Sequence, residues 1–126
     1  MKLTKNFHLS EFACNDKTEV PTELIENVKL LAQQLQILRD YYDTPIKINS
    51  AYRTKSYNAN VGGATNSQHL FGTAADIIII GISPEETQIT IQDLIDSGKM
   101  LEGGLGLYRT FTHYDIRKNK ARWDLT

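Results

Sequence analysis

Four consecutive isoleucines, Ile77-Ile78-Ile79-Ile80, follow directly on Ala74-Ala75-Asp76, and no other stretch narrows the possible folds as much. An apolar run this short, ended by Gly81, reads as a buried strand. Leading into it is Ser67-Gln68-His69-Leu70-Phe71-Gly72-Thr73, which puts a histidine and an aspartate seven positions apart at the mouth of a rigid element. A rigid element can hold a metal or a reacting group to fractions of an ångström.

The segments on either side read as one domain over residues 1–126. Phe7 to Ala13 is an extended entry that becomes a short helical piece at Ser10, whose hydroxyl is a suitable cap. Phe7, Leu9 and Phe12 are expected to pack on the core. Pro21 opens the next helix, where Leu24, Val28, Leu31, Leu35 and Leu38 recur at spacings of three and four, so residues 21–42 form an amphipathic helix. Thr44-Pro45 ends it. Ile46 to Ser50 alternates as a strand, and Thr54 to Ser67 is a long polar loop with Gly62-Gly63 at its sharpest turn. Ser83-Pro84-Glu85-Glu86 is a capping box for a second helix, stopped by Gly98. Gly103 to Tyr108 and Thr112 to Arg117 read as a hairpin. The expected architecture is α+β: a small, mostly antiparallel sheet with helices packed on one side.

Charge and cysteine content exclude several functions. The chain carries 14 basic and 15 acidic residues, scattered along its length, for a net charge of −1. A phosphate backbone demands a basic face, so nucleic acid is not an expected partner. The single Cys14 reads as a small apolar filler near the N-terminus. No apolar run approaches a membrane span, and no apolar segment backs the basic residues of Met1 to His8, so neither a membrane partner nor a secretory signal is expected.

Three histidines occur, His8, His69 and His113, and two of them stand near carboxylates at strand edges. In Thr112-His113-Tyr114-Asp115-Ile116-Arg117 a period of two puts His113, Asp115 and Arg117 on one face. If that face looks at His69 and Asp76, two imidazoles and one carboxylate converge. This is the three-ligand set of a catalytic zinc site, with the fourth position left for water. His8, among apolar neighbours, reads as structural.

These spaced motifs carry a resemblance. Ser67-x-His69 and Asp76 in the context Gly72-Thr73-Ala74-Ala75-Asp76, preceded by Asn49-Ser50-Ala51-Tyr52-Arg53 and followed by Gly103-Gly104-Leu105-Gly106-Leu107-Tyr108 and Phe111-Thr112-His113-Tyr114-Asp115, resemble the zinc D-Ala-D-Ala carboxypeptidase family. That family includes cell-wall carboxypeptidases and phage endolysins that cut peptidoglycan stem peptides. The resemblance runs from Phe7 to Trp123. It implies a D-Ala-D-Ala carboxypeptidase/hedgehog-like fold with the zinc on the sheet, and one zinc ion held by His69, Asp76 and His113. It further implies that Arg53 reaches a substrate carboxylate or a polarised carbonyl, and that Ser67 contacts substrate. The expected activity is zinc-dependent hydrolysis of an amide bond in peptidoglycan by a monomeric chain. Without a signal, such a chain is expected to stay cytoplasmic until released to the wall, as a phage-encoded or virion-associated enzyme does.

One position departs from the family pattern. Where many relatives carry an acidic general base three residues before the last zinc histidine, this chain has Thr110. Asp115 is the first substitute, since it shares a strand face with His113, and a carboxylate that orients a ligand imidazole is the equal alternative. Glu102 is a more distant choice. Thr110 also favours a second reading, a catalytically inactive wall-binding or structural module that keeps the fold, with or without the metal. Tyr52, Tyr57, Tyr108 and Tyr114 are expected to pack or to line a groove, and Trp123 to plug the core. Which bond is cut, whether D-Ala-D-Ala, L-Ala-D-Glu or a cross-link, is left open.

Overall fold

The computed structural model describes residues 1–126. Alternation along the strands decides what each side of the sheet becomes. Five strands, β1 (Ile46–Ser50), β2 (Ala74–Ile79), β3 (Gly104–Leu107), β4 (Thr112–Asp115) and β5 (Ala121–Asp124), lie in the order β1-β2-β4-β3-β5. On one face Ala75, Ile77 and Ile79 of β2, Leu105 of β3 and Tyr114 of β4 point into the apolar core. Helices α1 (Ile25–Tyr42) and α3 (Pro84–Asp96) close that side with Val28, Leu31, Leu35, Leu38, Ile91 and Leu94. The apolar period read for residues 21–42 is the buried stripe of α1, preceded by a 3₁₀ turn over Thr22–Leu24. Ser83 caps α3 by accepting the Glu86 N–H at 3.1 Å.

The sheet is mixed. The pairings β1–β2, β2–β4 and β4–β3 are antiparallel, while β3 and β5 run parallel. Strand β5 went unread in the sequence, and the expected core role for Trp123 is corrected with it: the indole lies half-buried on the face opposite the core. The polar segment before Ser67 also differs from expectation. It contains a short helix, α2 (Lys55–Asn60), capped by Thr54, and Gln68–Phe71 forms a 3₁₀ turn capped by Ser67. Near the N-terminus the cap is His8 and not Ser10: the His8 imidazole accepts from the Ser10 N–H, and the Glu11 carboxylate accepts from the His8 N–H at 2.7 Å. Cys14 is buried as expected.

Across the non-core face, the register lines up Ser50, Asp76, His113, Gly106 and Trp123 as successive partners on β1, β2, β4, β3 and β5. Directly opposed residues in an antiparallel pair have Cβ atoms roughly 5 Å apart, so Asp76 and His113 meet because of strand pairing alone. Gly106 and Gly104 leave space in this row and the next. A Cβ on Gly106 would run into the Trp123 indole, and one on Gly104 into the Asp115 carboxylate. The Gly-Leu-Gly-Leu of β3 thus has leucines for the core and vacancies for its neighbours' side chains. Replacing Gly106 with Ala is expected to cost about 1–3 kcal/mol by overpacking, measured as a lower denaturation midpoint in urea.

Candidate metal centre

Three segments bring the centre together. Asp76 and His113 stand side by side on β2 and β4, and the 3₁₀ turn carries His69 over them. Gly72 ends that turn with φ of +69°, a left-handed conformation open to glycine, in a space where Val28 leaves no room for a Cβ. The turn is tied to the chain after β1, since the Arg53 N–H donates to the His69 carbonyl at 3.0 Å.

Hydrogen bonds settle which nitrogen of each imidazole faces inward. His69 Nδ1 lies 2.6 Å from the Ala51 carbonyl, which can only accept, so Nδ1 carries the proton and Nε2 faces Asp76 Oδ1 at 3.3 Å. His113 Nε2 lies 2.7 Å from Asp115 Oδ2, and its Nδ1 lies 3.0 Å from Asp76 Oδ1. His69, Asp76 and His113 are all buried, and one donor atom from each falls within 4.8 Å of the others.

In this arrangement acceptors face acceptors. While both imidazoles are neutral, with Nδ1 of His69 and Nε2 of His113 donating outward, the inward nitrogens present lone pairs to an ionised carboxylate, and a cation between them, a metal ion or a proton on a ring, makes the cluster favourable. A proton partly fills that need. Burial pushes the His113 imidazole down, but the hydrogen bonds and charges of Asp115 and Asp76 outweigh it and leave it raised. Burial likewise pushes the Asp76 carboxyl up, yet the hydrogen bonds from His113 and His69, with their charges, hold it well below the usual carboxylate range. Two nitrogens and one oxygen are the borderline donor set suited to zinc, with outer partners already on both imidazoles. The residues therefore fit the metal.

Asp115 occupies a different place from the one expected of a base. It has no exposed surface and accepts from His113 Nε2, from the Gly104 N–H at 2.9 Å, and from Arg117 through its backbone N–H, its Nε at 2.9 Å and a terminal nitrogen at 2.7 Å. Burial raises its affinity for a proton, but these donors, His113 and Arg117 foremost, reverse the effect and keep it ionised. With its lone pairs engaged, it orients His113. Glu102 is exposed and tied to Arg122 at 2.6 Å, and Thr110 is exposed in the β3–β4 turn.

His69, Asp76 and His113 line a cleft of about 560 Å³. Arg53 and Ser67 line it too. Arg53 donates from Nε to Ser50 Oγ, and from its two terminal nitrogens to Asn58 Oδ1 at 3.1 Å and Asp76 Oδ2 at 3.3 Å. A guanidinium has five N–H groups, so one remains on each terminal nitrogen. Ser67 accepts from the His69 N–H at 3.2 Å, which leaves its own O–H to donate. Tyr108, Phe111 and Trp123 also line it. The sequence reading of Trp123 as a core plug misses its place here because β5 carries no hairpin signal, and the vacancy at Gly106 is the available signal. Of the other tyrosines, Tyr52 and Tyr114 are buried and Tyr57 packs on the core.

A family model described as peptidase M15 matches residues 5–115. Over 52 residues the chain is 42% identical to the zinc D-Ala-D-Ala carboxypeptidase of Streptomyces albus G. That match takes in 40% of this chain and spans only 20% of the relative's length.

Replacing Asp115 with Asn keeps the volume but removes the charge that holds His113. Zinc affinity is expected to fall about 10- to 100-fold, measured by competition with a chromophoric chelator.

Proposed function

The chain belongs to the peptidase M15 family, and from that premise we propose that it hydrolyses an amide bond in peptidoglycan stem peptides with one zinc ion, as a carboxypeptidase or an endopeptidase. The observation that carries this reading is the convergence of His69 Nε2, Asp76 Oδ1 and His113 Nδ1 in the lining of an open cleft. The carboxypeptidase named among its relatives supports the substrate class, and that protein's activity is carried over here as part of the proposal.

Zinc held by such a set acts as a Lewis acid, polarising a carbonyl and making water nucleophilic near neutral pH. The protein's own groups do the remaining work. Asp115 holds the His113 ring in one tautomer, and the Ala51 carbonyl does the same for His69. Arg53 offers its two spare N–H groups to a substrate carboxylate or to the carbonyl oxygen as that oxygen gains charge. Its remaining bonds to Ser50, Asn58 and Asp76 fix the guanidinium beforehand, so little side-chain freedom is lost on binding. Ser67 donates its free O–H to the peptide. The reading takes the chain as a monomer that reaches its substrate once released to the wall.

A second reading has its own observation. Asp76 is the only carboxylate lining the cleft, and it is a metal ligand, so no free acid stands by to accept a proton. A wall-binding module that retains zinc without cutting fits that composition.

Zinc content and the mass spectra of muropeptides after digestion separate the two. Hydrolysis is expected, with His69→Ala and His113→Ala each losing bound zinc and activity together. Full activity in either variant sinks the metallopeptidase reading, while zinc bound stoichiometrically with no bond cut establishes the module. Product masses also name the bond.

A further inference from the structure

Resting on the peptidase reading, we propose that Tyr108 is a substrate-contacting hydrogen-bond donor whose hydroxyl is oriented by the indole N–H of Trp123. With Asp76 committed to the metal, further polar contacts to a bound peptide come from cationic or neutral groups. Among the residues lining the same cleft, Tyr108 supplies a hydroxyl.

Its ring is fixed from two directions. It stacks on Phe111 with centroids 4.3 Å apart and 13° between planes, and its backbone N–H donates to the Phe111 carbonyl at 3.1 Å. Trp123 Nε1 lies 3.0 Å from the phenol oxygen. An indole nitrogen only donates, so the phenol accepts, and its own hydrogen has no protein partner. A half-buried phenol beside an open cleft therefore keeps one oriented donor unspent.

The same indole ties this donor to the centre. The Trp123 ring packs 4.9 Å from that of His113, and the Arg117 guanidinium lies 5.3 Å from its centroid. Trp123 thus has the metal-binding imidazole as one neighbour and the phenol as another. A peptide in the cleft has both the N–H donors of Arg53 and the O–H of Tyr108 in the lining around it. The chemical class recognised is a backbone carbonyl of the stem peptide, and the contact strengthens as that oxygen becomes negative.

The test is steady-state hydrolysis of purified muropeptides by the zinc-loaded full chain. Tyr108→Phe keeps the stack and deletes the donor, and is expected to lower kcat/KM about 100-fold or more, with zinc affinity and melting temperature unchanged. Trp123→Phe deletes only the orienting N–H and ring bulk, and is expected to lose about 10-fold. The double variant is expected to be no worse than Tyr108→Phe alone. Wild-type rates in Tyr108→Phe, or losses that add fully in the double variant, overturn the proposal. If the unmodified chain cuts no muropeptide, the peptidase reading fails and calorimetric titration with a stem tetrapeptide decides the matter. Tyr108→Phe is then expected to weaken binding about five-fold, and equal affinity overturns the role of Tyr108.

Discussion

An ionised carboxylate without solvent is stable only where donors surround it, and Asp115 is the place where this chain meets that demand. Its oxygens take bonds from His113, Gly104 and Arg117. Those bonds tie β3 to β4 and set the tautomer of the His113 imidazole in the candidate centre. They also draw the Arg117 guanidinium over Trp123. A charge so placed makes His113 present Nδ1 toward Asp76, and the geometry of the centre follows. Removing one partner of such a buried network leaves the others uncompensated, which is why these residues act as a group.

Much of this was legible in the chain. The three- and four-residue spacing of leucines in α1, the Ser-Pro-Glu-Glu start of α3 and the isoleucine run of β2 are local signals, and local physics honours them. The pairing of His113 with Asp115 on one face needed only the period of two. The strand β5 was hidden because it pairs in parallel with β3, far from any hairpin signal, and because Arg122 and Asp124 obscure its apolar character. Helix α2 lacks an apolar stripe. The Thr54 cap and the buried Asn58, which donates to the Ala64 carbonyl at 2.8 Å, are what hold it.

At the site, residue identity came through more clearly than role. His69, Asp76 and His113 were candidates from spacing and a ligand set only through the family resemblance, and which nitrogen of His69 faces inward depends on the Ala51 carbonyl, a backbone group that leaves no mark in the pattern. Asp115 as base or as orienting group was an even choice in the sequence, because neither its burial nor its donors can be read there. Trp123 and Tyr108 gain their significance from Gly106, a residue whose contribution is absent volume.

Strand alternation has a further consequence, for how the work of the sheet is divided. Leucine, isoleucine and tyrosine on one face of the sheet hold α1 and α3, while the acids, histidines and glycines on the other build the centre. The two faces are therefore separable in what they do: side chains on the core side decide how the helices pack, and those on the other decide what the cleft presents, provided that the vacancies over β3 remain.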